Sequence, residues 1–318
     1  MNASVYSSLI PVILSIGIGF IAARVGWVRP TAVKDLSNLV FLVLSPALLF
    51  RTMGAVRAQD LNFQPVALYF LAAGLVFVVS MGYGGYSTRS AARSLANMFS
   101  NTMTIGVPLV GLVYGQAGLV TLFTLISLHA LILLTAATVV FELAEAQERQ
   151  RAGESAPRPM LHTVLQAVRN GILHPVPLPI LAGLLFAQTG LRLPAVLDTS
   201  LQVLGQALGP MALLLVGVTL AFTPVGRHLR SAWGIALVKT LVHPALLALL
   251  AWAFGLSGLP VAVMFVAAAL PVGANVFLFT QRYGVMQEEV SASIFVSTTL
   301  ALVTVPLVLM LAQRFMLR

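Results

Sequence analysis

Cysteine is absent from the 318 residues, which excludes disulfides, thiol catalysis and cysteine-ligated metals. Charge is scarce as well. Only 8% of residues are Asp, Glu, Lys or Arg, against about 25% in soluble domains. The nine acidic residues avoid the middle of every long apolar run, so a carboxylate-based sodium or proton site within a membrane has no candidate ligand. The motifs of intramembrane and nucleotide-driven chemistry are missing too. There is no Gly-x-Ser-x-Gly, no His-Glu-x-x-His, no Asp pair within an apolar run and no Walker sequence, which argues against an enzyme and against any cofactor.

What remains is overwhelmingly apolar: 59% of residues are hydrophobic and the mean hydropathy is +0.97. The net charge of +9 is spread singly between apolar runs, as loop charges that set orientation are, and not clustered as in a nucleic-acid surface. A membrane span needs about 20 mostly apolar residues. Ten such runs are predicted, at 4–24, 33–53, 65–84, 92–114, 117–142, 167–189, 198–221, 231–254, 259–281 and 288–313. The first has no Lys or Arg before Arg24, so it reads as a retained span and not as a cleavable signal. Residues 143–166 form a polar linker that separates 1–142 from 167–318. Alternate loops hold twelve Lys or Arg, among them Arg24, Arg93, Arg149 and Arg230, against five, Arg51, Arg57, Arg192, Arg314 and Arg318. The richer set is expected in the cytoplasm, with the linker, which leaves both termini outside.

The two halves are punctuated alike. Pro46 in the second run and Pro210 in the seventh lie 164 residues apart, and Tyr114-Gly115 and Tyr283-Gly284 lie 169 apart. With five spans per half, the second half enters the membrane the other way up. That predicts an all-α polytopic fold of two inverted five-helix repeats, with substrate near mid-membrane. Runs four and nine are also broken. "SNTMTIGVPLVGLVYG" carries Asn101, Thr102, Gly106 and Pro108; "ALPVGANVFLFTQRYG" carries Pro271, Gly273 and Asn275. At about 1.5 Å per residue, Asn101 and Pro271 both fall near the middle of a core about 30 Å thick. Helix ends exposed there offer unpaired N–H groups and positive dipole to an anion, and the two asparagines add amide donors. Three further ionisable residues lie within apolar runs. Lys239 is a counter-charge to that anion or snorkels to the surface; His243 and His129 are candidates for proton coupling.

These same stretches resemble the auxin efflux carrier family, which includes the plant PIN-FORMED carriers and bacterial organic-acid permeases. The resemblance rests on the Asn-Thr, Gly-x-Pro and Tyr-Gly marks of residues 100–115, on "ALPVGANVFLFTQRYG", on "SASIFVSTTLALVTVPLVLML", and on "LSNLVFLVLSPALLF". The short linker is similar to that of bacterial members, which places the chain in a bacterial inner membrane among its lipids. The resemblance implies a fold like that of bile-acid and sodium–proton transporters. Residues 1–53 and 167–221 would form a scaffold and homodimer contact; residues 65–142 and 231–313 would form a mobile transport domain crossing at Pro108 and Pro271. It also implies that Asn101 and Asn275 bind the carboxylate of a small organic anion, a malate- or malonate-like acid or an indole acid, carried by an elevator movement. The competing readings are a sodium-coupled bile-acid-type symporter and, outside carriers, a channel or a sensor.

Overall fold

A computed structural model describes residues 2–317 apart from 58, 60, 152–164, 166–168, 170–175, 224, 225 and 227. The described residues form helices and no sheet beyond one isolated bridge. In chain order they are α1 (Asn2–Arg24), α2 (Ala32–Met53), α3 (Gln64–Gly84), α4 (Thr88–Met98), α5 (Thr102–Arg151), α6 (Pro177–Gln188), α7 (Ala195–Phe222), α8 (Leu229–Ala253), α9 (Leu259–Ala269), α10 (Ala274–Tyr283) and α11 (Gln287–Phe315). Six of them, α2, α3, α5, α7, α8 and α11, are long and apolar enough to cross a membrane. Their outer faces carry large apolar side chains in the open, such as Trp252 at 80% and Val203 at 62% exposure, as a surface facing lipid does. The chain is thus a multi-pass membrane protein.

Two features show how the chain manages lengths that do not match a bilayer. At 50 residues α5 is about 75 Å long, more than twice the hydrocarbon thickness. It is divided at Gly115, whose φ of 61° and ψ of −152° suit a residue without a Cβ. The other Tyr-Gly pair behaves alike: Gly284 ends α10 in the left-handed region at φ 69°, a common way to close a helix. Both Gly residues thus take a positive φ, Gly284 in the left-handed helical region and Gly115 at a ψ outside it. Residues 143–151 continue α5 as helix, so the expected linker begins as helix; its remainder through 164, and residue 166, lie outside the described residues, as do most of 167–175 at the start of the sixth expected span.

Helices α1, α2, α6 and α7 pack on one another. The approach of α1 to α7 depends on glycine: a Cβ at Gly19 would collide with the Leu214 carbonyl, and one at Gly217 with the Ile16 carbonyl. Small residues give helices in lipid their close contact. Arg51 of α2 reaches Asp198 of α7 with a two-pronged ion pair, Nε to Oδ1 at 2.8 Å and Nη2 to Oδ2 at 3.0 Å. The remaining helices pack mainly among themselves, α3 on α4, α8 on α11, and α9 against α3, α5, α8 and α11. That second group contains both chain breaks.

Candidate functional site

The breaks lie between α4 and α5 and between α9 and α10. Phe99 leaves the helix at ψ 111°, Leu270 at ψ 152°, and Gly273 is extended at φ −77°, ψ 143°. Leu270 precedes a proline, which disfavours helical backbone there. The two extended stretches then pair with each other. Ser100 and Val272 form an antiparallel bridge; the Asn101 N–H donates to the Pro271 carbonyl at 2.9 Å, and the Gly273 N–H to the Phe99 carbonyl at 2.9 Å. Backbone groups freed in an apolar interior must find partners, and here each break supplies the other. Glycine makes the approach possible. A Cβ on Gly273 would sit 2.8 Å from Phe99 Cδ1 and 3.0 Å from the Ser100 carbonyl; one on Gly106 would sit 2.8 Å from Leu270 Cδ1.

Side chains from neighbouring helices anchor each break. Tyr69 of α3 donates to Ser100 Oγ at 2.7 Å, and His129 Nε2 lies 3.1 Å from the same hydroxyl. With the hydroxyl proton given to Ser100, the imidazole N–H is the donor in the second bond. Lys239 of α8 donates to the Ala268 carbonyl at 2.6 Å and the Leu270 carbonyl at 2.7 Å, capping the negative end of α9. Ser297 of α11 accepts from the Val272 N–H at 3.1 Å. Lys239 therefore does not snorkel, since it is fully buried, and both its bonds go to backbone. His243, also fully buried, packs on the Tyr69 ring at 5.3 Å between centroids, and neither of its nitrogens has a partner.

A cavity of about 60 Å³ opens beside the pairing, walled by Asn101, Thr102, Thr104, His129, Gly273 and Asn275, with Phe41 of α2 and Pro177 of α6 opposite. Asn101 Oδ1 accepts from the Thr104 N–H and hydroxyl at 3.3 and 2.5 Å, which holds its amide at the start of α5. Asn275 lies one residue inside α10 and is half-buried. Two helix N-termini and two amides thus meet at one hollow, a setting that favours an anion.

The structure brings Asn101, Thr102, Gly273, Asn275 and His129 together at the cavity. It sets Pro271, Gly106, Lys239 and His243 behind the pairing. Pro108 is placed otherwise than the sequence predicts, as is Lys239, which neither snorkels nor lines the cavity. The crossing is made by Phe99–Asn101, and Pro108 sits inside α5, just past a widened π-helical turn at Thr102–Gly106, a local loosening of the hydrogen-bond ladder that accommodates a residue without an N–H. The sequence reading missed Tyr69, Ser100 and Ser297. One signal for Tyr69 was available: it precedes Lys239 by 170 residues, within one residue of the spacing of the Tyr-Gly marks, and each anchors the break of its own half. One Gly-x-Ser-Gly sequence does occur, at 255–258. Its serine is exposed in the turn between α8 and α9.

The model of one family, described as membrane transport protein, matches residues 4–309. The chain belongs to this membrane transport protein family. Relatives span its whole length. The "Putative malonate transporter" of Rhizobium meliloti is 28% identical, covering 95% of this chain and 94% of that protein. "Auxin efflux carrier component 8" of Arabidopsis thaliana is 23% identical, covering 94% and 95%. An "Uncharacterized transporter" of Methanothermobacter thermautotrophicus is 22% identical, covering 94% and 96%. The protein is accordingly a membrane transporter of the auxin efflux carrier type.

Proposed function

We propose that this transporter carries small organic anions, binding a carboxylate between Asn101 and Asn275, with Thr102, Gly106, Pro108, Pro271 and Gly273 shaping the crossing. The single observation that supports this reading most is the convergence of both asparagines and both helix N-termini on one cavity. The relatives' names, malonate and auxin, are both of carboxylic acids. Ten membrane crossings follow when α4 joins α5 up to Gly115, α9 joins α10, and α1 and α6 are counted as spans. In this reading α1, α2, α6 and α7 form a scaffold and homodimer contact, and the other helices slide against it as an elevator, in the bacterial inner membrane with both termini outside.

The test is uptake of labelled malonate and of an indole acid by proteoliposomes, with trans-stimulation by unlabelled acid. A lost hydrogen bond to a charged group costs about 1.5–3 kcal/mol, or roughly one to two decades of affinity. Asn101→Ala and Asn275→Ala should each weaken affinity by that much. Native affinity in both variants would sink the assignment. His129, on the cavity wall, and His243, packed on the Tyr69 ring behind the crossing, are the groups through which we expect pH to act; a double His→Gln variant with the native pH profile argues against it. Dependence of uptake on sodium would favour the bile-acid-type symporter instead.

A further inference from the structure

A second, larger cavity is lined by the second half of α4 and the first three turns of α8. It measures about 560 Å³ and is lined by Arg93 and Asn97 of α4, by His228, and by Arg230, Ser231 and the turn after them in α8. That volume is in the range of small-molecule sites, roughly 300–1,000 Å³; the hollow at the crossing is far below it. The charges around it are sorted. Glu289 is held by Arg89, and His228 faces Glu288 and Glu289 at 3.3 and 3.4 Å. Arg93 and Arg230 form no ion pair among the described residues. Asn97 is 6% exposed; its Nδ2 donates to Ser80 Oγ at 2.9 Å and its Oδ1 has no partner. Exchanging the two ends of the amide keeps the Ser80 bond, with the hydroxyl as donor, and frees an N–H for a ligand.

The crossing, by contrast, has no free cation among the described residues, because Lys239 gives its ammonium to two backbone carbonyls. Two amides and two helix ends suit one carboxylate and leave a second negative charge unanswered. The geometry points to a second anion site in the larger cavity, where Arg93 and Arg230 hold the clustered oxygens of a small dianion such as a dicarboxylate. Asn97, in the last turn of α4, directly precedes the extended residues Phe99–Asn101, and Val238, on the cavity wall, adjoins Lys239, so the site abuts the back of the crossing. A cationic mouth raises the local concentration of its anion. The inference rests on the proposed function for the ligand's identity and not for the site's existence. The phosphate of an anionic lipid presents the same chemistry, and the test separates the two.

Purified protein in nanodiscs of zwitterionic lipid is titrated with malonate and its thermal unfolding followed, in the wild type, R93Q/R230Q, R93K/R230K and N101A/N275A. We expect malonate to stabilise the wild type and N101A/N275A, and R93Q/R230Q to need at least tenfold more malonate, with R93K/R230K partly restored. The same series in nanodiscs containing phosphatidic acid identifies the source. A lipid occupant stabilises the wild type over R93Q/R230Q and blocks the malonate shift; a free dianion keeps its shift. If R93Q/R230Q responds like the wild type to both, the site does not exist. If no organic anion crosses proteoliposomes but the arginine-dependent shift remains, the site stands and the carrier reading falls.

Discussion

Replacing Lys239 with methionine removes an ammonium and keeps the unbranched stem that fills the same space. Two carbonyls at the end of α9, on Ala268 and Leu270, lose donors now at 2.6 and 2.7 Å. No water reaches a fully buried site to replace them, and each orphaned acceptor costs about 1–3 kcal/mol, or about 2–6 kcal/mol together. Against this stands the cost of holding an ammonium out of water, several kcal/mol, which the variant no longer bears. The second only partly offsets the first, and both act at the crossing, where Nζ lies against the two carbonyls. The lost bonds are at the crossing, so we expect its local opening to become easier by about 1–3 kcal/mol, or roughly 5- to 150-fold. Hydrogen exchange reads this directly. The Asn101 and Gly273 amides donate across the pairing, and both should exchange faster in Lys239→Met by that factor, while amides of α1 and α7 keep their rates. Anion flux should fall with them. Unchanged exchange at Asn101 and Gly273 would refute the assignment of Lys239 as the clamp on the second break.

The two crossing glycines should differ. Gly273→Ala drives a Cβ against the Ser100 carbonyl, which is backbone already fixed by the bridge, and should cost about 1–3 kcal/mol of stability; Gly106→Ala meets only the terminal methyl of Leu270 and should cost less than about 1 kcal/mol. Equal losses in denaturation would contradict this account. Tyr69→Phe removes the bonds to Ser100 and His129 without opening a hole. Thermal unfolding should show a loss of about 1–3 kcal/mol, and native stability would mean the first break needs no such anchor. Asp198→Asn breaks a pair whose side chains are 32% and 41% exposed, so the loss should stay near 1 kcal/mol or below; a drop of several kcal/mol would show that the α2–α7 contact depends on it.

The sequence by itself determined the membrane class, the bounds of most of the long helices and the glycines at which two helices turn. Hydrophobic length is a local property, so the spans expected at 65–84 and 198–221 appear as Gln64–Gly84 and Ala195–Phe222. Glycine at positive φ is local too, and Gly115 and Gly284 were readable from their Tyr-Gly marks. The tertiary structure alone decided which residues between those marks make the crossing. Pro108 looked like the breaker, but it lies inside α5, where the widened turn at Thr102–Gly106 accommodates it. Phe99 and Ser100, with no helix-breaking chemistry of their own, leave the helix because Pro271 and Gly273 lie opposite to take and give their hydrogen bonds. The role of Lys239 was equally open along the chain. An ammonium satisfies whatever acceptors surround it, and those acceptors, the carbonyls of Ala268 and Leu270, are 29 and 31 residues away in sequence and come within reach only once α8 packs on α9.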